Sequence, residues 1–153
     1  VQTCALPIFI EDNGRKVGSL WIGQSFTSPT YFWGRPSATA HFPYNGAASS
    51  GSNNGPSNPQ FLATVQERVA AFNQQNNGLP IPIDLVTSSG SGLDPDISVA
   101  AAYYQAPRIA ALRHLPIATV NTLIATHVTP RQFGFLGEPR VNVLNLNQAL
   151  DAL

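Results

Sequence analysis

Methionine is absent from this 153-residue sequence, and cysteine and lysine occur once each. The single cysteine, Cys4, excludes an internal disulfide framework. Charged residues make up only 10%, against roughly 25% in ordinary soluble domains, so the surface must be polar through Asn, Gln, Ser and Thr. Its basic side chains are Lys16 and seven scattered arginines, and the formal net charge is +0. Nucleic acid is therefore an unsuitable partner, because phosphate binding needs clustered cations that release counterions. No stretch approaches the ~20 apolar residues of a membrane helix. The uncharged run 17–34 is long enough, but Gly, Ser, Gln, Thr and Pro interrupt it throughout. No basic segment precedes an apolar block in the manner of a signal peptide.

What remains is enough for one domain. Hydrophobic residues reach 43%, and a chain of this length buries roughly 70% of its unfolded surface without metal or disulfide. The opening Val1-Gln2-Thr3-Cys4-Ala5-Leu6-Pro7-Ile8 resembles the translation of a common sequencing adapter. Residues 1–8 are therefore expected to be a non-native leader, with the domain occupying 9–153.

Along the domain, 9–26 reads as a β-hairpin turning at Asn13-Gly14, with a return strand over 16–26. Four prolines (Pro29, Pro36, Pro43, Pro56) and a Gly/Ser/Asn-rich run make 27–58 a long irregular segment, either functional or mobile. Its aromatics, Tyr31, Phe32, Trp33, Phe42 and Tyr44, predict that the first part packs. Ser57-Asn58-Pro59 starts a helix whose stripe is Phe61, Leu62, Val65, Val69 and Phe72, and 74–78 ends it. Asp84-Leu85-Val86 reads as extended. An alanine-rich helix is predicted over 98–115 with Pro107 inside it, followed by a shorter one over 117–127. A strand over 140–145 and a closing helical turn or two over 146–153 complete an α+β domain: N-terminal hairpin, two to three main helices, C-terminal strand.

Several chemistries are tempting and poorly supported. Ser88-Ser89-Gly90-Ser91-Gly92 lacks the Gly-Lys-Ser/Thr ending of a phosphate-cradling loop. The expected reading is a turn that, with Asp94, caps the next helix. Ser91, His114 or His127, and Asp94 assemble a triad on paper only, because no Gly-x-Ser-x-Gly elbow is present. His41, His114 and His127 lie too far apart for a zinc site, and eight carboxylates are too scattered for a glycosidase pair. His127 suits a helix C-terminus. Arg108 and Arg113 are expected to be solvent-exposed in preference to binding an anion or a partner carboxylate.

Six strings occur in order: GSLWIGQSF (18–26), YFWGRPSA (31–38), GPSNPQF (55–61), DLVTSSGSGLDPDIS (84–98), AAAYYQAPRIAALR (100–113) and GEPRVNVLNLNQALD (137–151). Together they resemble the signature segments of the C-subunit family of Kdp-type potassium-transporting P-type ATPases, from Phe9 to Asp151. The resemblance implies an accessory subunit without catalytic residues or a bound cofactor or metal. ATP and potassium would be handled by the complex. It implies a single N-terminal membrane helix, which these residues do not contain, and a domain on the periplasmic side of the bacterial inner membrane. The implied partners are a channel-like potassium-translocating subunit, an ATP-hydrolysing P-type subunit and a small stabilising peptide. The implied roles are assembly and catalytic chaperoning that raises the pump's ATP affinity. Gln105 is the implied nucleotide-linked candidate. Gln24, Arg35, Asn58, Ser89, Ser91, Asp94 and Arg108 are candidates for partner contact. Asp96 stands where the family also has His, so no His-dependent role carries over. The alternative is a free-standing periplasmic hydrolase or binding module using the Ser/Gly loop around Ser91.

Overall fold

The computed structural model describes residues 9–12, 14–73 and 79–153. Residues 1–8, Asn13 and the helix-ending run 74–78 of the sequence reading lie outside them. Two short strands, β1 (Phe9–Asp12) and β2 (Arg15–Ser19), pair antiparallel, with Gly14 between them at φ +75°. The return strand is shorter than the predicted 16–26. Only an isolated bridge, Ser19 to Ile22, continues it. The chain then folds back, with Gln24 Nε2 donating to Val17 O at 2.9 Å and Gly23 N donating to Leu93 O at 2.8 Å. Those bonds take the chain away from the strand direction, which alternation of side chains could not reveal.

Helix α1 (Pro59–Asn73) starts where the sequence places it. Asn58 Oδ1 accepts from Gln60 N and Phe61 N, at 2.9 and 3.3 Å, satisfying donors left free by a helix N-terminus. Arg68 ties the helix to the following segment by donating to Val86 O at 2.8 Å. Residues Ile83–Leu85 form a 3-10 turn in place of the predicted extended stretch. Pro82 fixes the entry, its carbonyl accepting from Leu85 N. The turn also aims Asp84 at Ser98, whose N and Oγ donate to the carboxylate at 2.7 and 3.1 Å.

Ser98, and not Asp94, caps helix α2 (Val99–Arg113) by accepting from Ala101 N at 3.0 Å. The expected capping turn is displaced because a strand, β3 (Asp96–Ser98), intervenes between the Ser/Gly loop and the helix. Helix α2 runs through Pro107 and ends at His114, which adopts φ +56°. Its alanines at 101, 102, 106 and 110 are buried and Ile109 is fully enclosed, so small side chains allow close approach. Helix α3 (Ile117–Thr126) packs on α2 through Val120 and Ile124. His127 follows it, with Nδ1 2.8 Å from Leu123 O.

Strands β4 (Val128–Thr129) and β5 (Arg140–Asn142) complete a three-stranded antiparallel sheet ordered β3-β5-β4. The predicted strand over 140–145 is thus only three residues long. Asn142 Oδ1 accepts from Asn145 N at 3.1 Å and starts helix α4 (Val143–Asp151). An Asn cap outweighs the Val-Leu alternation that suggested a strand. Among the described residues the hairpin and this sheet remain separate, and with helices α1 to α4 they make an α+β domain.

The irregular segment 27–58 holds part of the core. Phe32 is fully buried, and its N and O bond to the Asn147 side chain at 2.9 and 3.0 Å. Trp33 and Tyr104 both meet the Phe72 ring edge-on, at 5.5 and 6.0 Å, so aromatic contact joins α1 to α2.

Candidate functional site

Three groups of the side chains singled out above can be followed. The first is the corner around the Ser/Gly loop. Ser89 is buried and its Oγ accepts from Gly92 N at 2.9 Å. Ser91 Oγ accepts from Leu93 N at 3.1 Å. A phosphate cradle needs backbone N–H groups free to point at an anion, and here two of them are engaged by the loop's own serines. Ser91 Oγ thereby serves the loop's turn, and His127 Nδ1 is occupied at Leu123 O, so the paper triad is not assembled by these bonds.

Segment 37–50 clamps this loop. Ser37 Oγ donates to Gly92 O at 2.7 Å, and Ser49 Oγ and Ser50 N both donate to Ser91 O at 3.0 Å. Gly92 sits at φ +69°, and a side chain there would stand 2.7 Å from Ser50 O and from Thr39 Cγ2. Glycine is therefore demanded twice, by conformation and by space.

Arg35 closes the corner. Its Nη1 meets Asp94 Oδ2 at 3.0 Å and its Nη2 donates to Ser88 O at 3.4 Å. The other Asp94 oxygen accepts from Asp96 N at 3.1 Å. Tyr44 OH donates to Arg35 O at 2.5 Å. Burial, reinforced by the Asp94 charge, pushes the Tyr44 phenol up to about 12. A raised acid pKa means the unfolded chain ionises first, so this contribution is intact below about 10 and is lost between about 10 and about 12. Tyr44→Phe should weaken the fold by about 1 kcal/mol at neutral pH through the lost hydrogen bond. The gap to wild type should narrow across that alkaline window. Urea midpoints measured at several pH values check this, and a gap that stays constant would refute the assignment.

Beside that corner lies a groove of about 310 Å³, lined by Arg35, Asp84, Asp94, Asp96, Ile97, Ser98, Glu138, Pro139 and Arg140. Asp96 Oδ2 accepts from Arg140 Nε at 2.8 Å, and Oδ1 from Asn142 Nδ2 at 3.3 Å. Burial pushes the Asp96 carboxyl up, while Arg140 draws it back down. Among the described residues no cluster suits a metal ion. The groove offers paired charges and hydrogen-bonding edges, a surface for a polar partner. Sequence reading found Arg35 and Asp94 but not Asp84, Glu138 or Arg140. Their signal was present only as acidic and basic ends of two of the six strings.

The second group is internal. Gln105 is fully buried, with Oε1 accepting from Trp33 N at 2.8 Å and from Arg108 Nη2 at 2.9 Å, and Nε2 donating to Trp33 O at 3.1 Å. Arg108, 7% exposed, also donates from Nη1 to Pro29 O and from Nη2 to Tyr31 O, at 3.1 Å for the latter. Its guanidinium lies 4.2 Å from the Trp33 ring centroid. Burial lowers its pKa to about 10, so it remains a cation at neutral pH. Arg113 behaves alike, donating to Thr30 O at 2.9 Å and to Leu150 O at 3.2 Å, and pairing with Asp151 Oδ1 at 2.7 Å. The expectation of solvent-exposed Arg108 and Arg113 is thereby corrected. Both grip the backbone of the irregular segment, whose carbonyls no strand satisfies.

The remaining candidates serve local structure. Asn58 caps α1, and Gln24, bonded to Val17 O, lines a depression of about 290 Å³ with Arg35 and Tyr44. Among the described residues no helix is long and apolar enough to cross a membrane.

Comparison with known proteins supplies what the geometry leaves open. The family model described as "K+-transporting ATPase, c chain" matches residues 4–152. A protein of Methylococcus capsulatus named potassium-transporting ATPase KdpC subunit is 60% identical over 146 residues, covering 94% of this chain and 77% of the relative. Proteins of the same name from Burkholderia vietnamiensis and Herminiimonas arsenicoxydans are 58% and 56% identical. They cover 94% and 93% of this chain, and 75% and 76% of their own lengths.

Proposed function

The chain belongs to the KdpC family, the c chain of K+-transporting ATPases, and from that premise we propose that it is a non-catalytic accessory subunit of an ATP-driven potassium importer. It acts by docking on neighbouring subunits: a channel-like potassium-translocating subunit, an ATP-hydrolysing P-type subunit and a small stabilising peptide. The domain stands on the periplasmic side of the bacterial inner membrane, joined to it by a helix outside these residues. In the complex it assists assembly and raises the ATP affinity of the pumping subunit. Arg35 and Asp94, which line the charged groove, are its proposed contact residues together with Gln24, Asn58 and Ser91, whereas Ser89 is buried and is set aside as a contact.

One observation carries the indirect form of the nucleotide effect. Both ends of the Gln105 amide bond to Trp33 backbone, and Arg108 completes its oxygen. Nucleotide contact at Gln105 or Arg108 would require unmaking the seat of the segment 29–33. Gln105 and Arg108 accordingly affect ATP use by holding the docking surface in shape.

The test has two readings. Reconstituted pump should show a lower KM for ATP with this subunit than without it. ATP should leave the melting temperature of the lone domain unchanged, whereas a ligand at 100 times its Kd would stabilise it by roughly 2.7 kcal/mol. A clear upward shift of the lone domain would overturn the indirect mechanism. An unaltered KM would overturn the chaperone role.

A further inference from the structure

The connection between β4 and β5 carries the most exposed aromatic side chains of the described residues. Every residue from 131 to 138 is exposed. Phe133 is 80%, Phe135 69% and Leu136 48% accessible. Single exposed apolar residues are ordinary, but three within four positions on one tip are not.

The tip is held, not loose. Gln132 N donates to Leu136 O and Leu136 N to Gln132 O, both at 2.9 Å. Gly134 N and Phe135 N donate to Arg131 O and Gln132 O. Arg131 Nη2 and Glu138 Oε2 meet at 2.7 Å across the neck. Below the neck, β4 and β5 pair in register, and β5 is the central strand of its sheet. Phe133 adopts φ +53°, a region that an aromatic residue rarely enters. That conformation, with Gly134 at φ +82°, turns the tip so that both rings are presented.

We infer that this tip, Phe133-Gly134-Phe135-Leu136, seats in an uncharged, apolar pocket on another subunit of the potassium-transporting ATPase. The inference rests on the accessory-subunit reading above and names the anchor that reading lacks. Aromatic side chains entering a pocket supply most of the binding energy at many interfaces. A tip already fixed by its own hydrogen bonds loses little freedom on docking. The charge distribution selects the occupant. No charge lies between Arg131 and Glu138, and these two neutralise each other, so a complementary surface is uncharged. An anionic lipid surface would call for clustered Lys and Arg. Six of the seven arginines are instead engaged: Arg35, Arg113, Arg131 and Arg140 in ion pairs, Arg68 and Arg108 on backbone carbonyls.

The experiment co-expresses the full-length subunit with the other pump subunits and purifies the assembly through a tag on one of the others. Phe133→Asn with Phe135→Ser removes both rings, while Asn still tolerates a left-handed conformation. The wild type should co-purify in stoichiometric amount. The double variant should be recovered at least about tenfold less, as expected for loss of interface anchors, with an unchanged melting temperature when isolated. Phe135→Ser alone, which leaves residues 133 and 134 intact, keeps the comparison readable if the double variant melts early. Equal recovery of variant and wild type would overturn the anchor while leaving the accessory role standing. Intact assembly with lost binding to phosphatidylcholine–phosphatidylglycerol vesicles would assign the tip to lipid and overturn it too. Failure of the wild type to co-purify would instead remove the accessory reading, and this inference with it.

Discussion

Replacing Arg108 by methionine should destabilise the domain by about 2–5 kcal/mol, because buried backbone carbonyls lose their donor at about 1–3 kcal/mol each. The guanidinium is almost wholly enclosed and donates to Pro29 O, Tyr31 O and Gln105 Oε1. Methionine fills similar volume but leaves Pro29 O and Tyr31 O without their donor where water cannot enter, while Gln105 Oε1 keeps Trp33 N. The Trp33 stack is lost as well. Lysine should rescue little, because a point ammonium cannot reproduce a planar fork that serves several acceptors while lying on a ring. For a domain whose whole stability is about 5–15 kcal/mol, the loss is readily measured by urea unfolding. A methionine variant within about 1 kcal/mol of wild type would show that the network is ornamental.

Phe32→Ala should cost about 3–5 kcal/mol, the usual toll of deleting a core aromatic. Phe32 is fully buried in a segment with no helix or strand of its own. Its backbone is satisfied by one side chain, with Asn147 Oδ1 accepting from Phe32 N and Asn147 Nδ2 donating to Phe32 O. Loss of the ring should loosen that pairing, and loss of the pairing should loosen the ring. Phe32→Ala and Asn147→Ala should therefore be non-additive, the double variant losing less than the summed single losses. Strict additivity would show that ring and amide act independently. Denaturant titration of all four proteins decides between them.

Much of this architecture was legible because it is written locally. Asn58-Pro59 marks the start of α1, and the alanine-rich stripe announces the inward face of α2. What could not be read depends on partners far along the chain. Arg108 and Arg113 look like surface cations on a helix. Their acceptors, Pro29, Thr30 and Tyr31, lie 77 to 83 residues away in a stretch without periodicity. The strand predicted over 140–145 failed for a local reason, since Asn142 can cap as readily as it can continue a ladder. At the candidate site, Arg35 and Asp94 were found as members of two strings. Their union across 59 residues, and the groove they share with Asp84 and Arg140, needed the fold.

The bond between Phe32 and Asn147 spans 115 positions, and its consequence reaches into synthesis of the chain. A nascent polypeptide still short of α4 has no Asn147 amide to receive the Phe32 backbone. Closure of the long middle segment is thus postponed until α4 emerges from the ribosome, and the non-local topology slows it further. The chain completes this part of its interior only after Asn147 has been made.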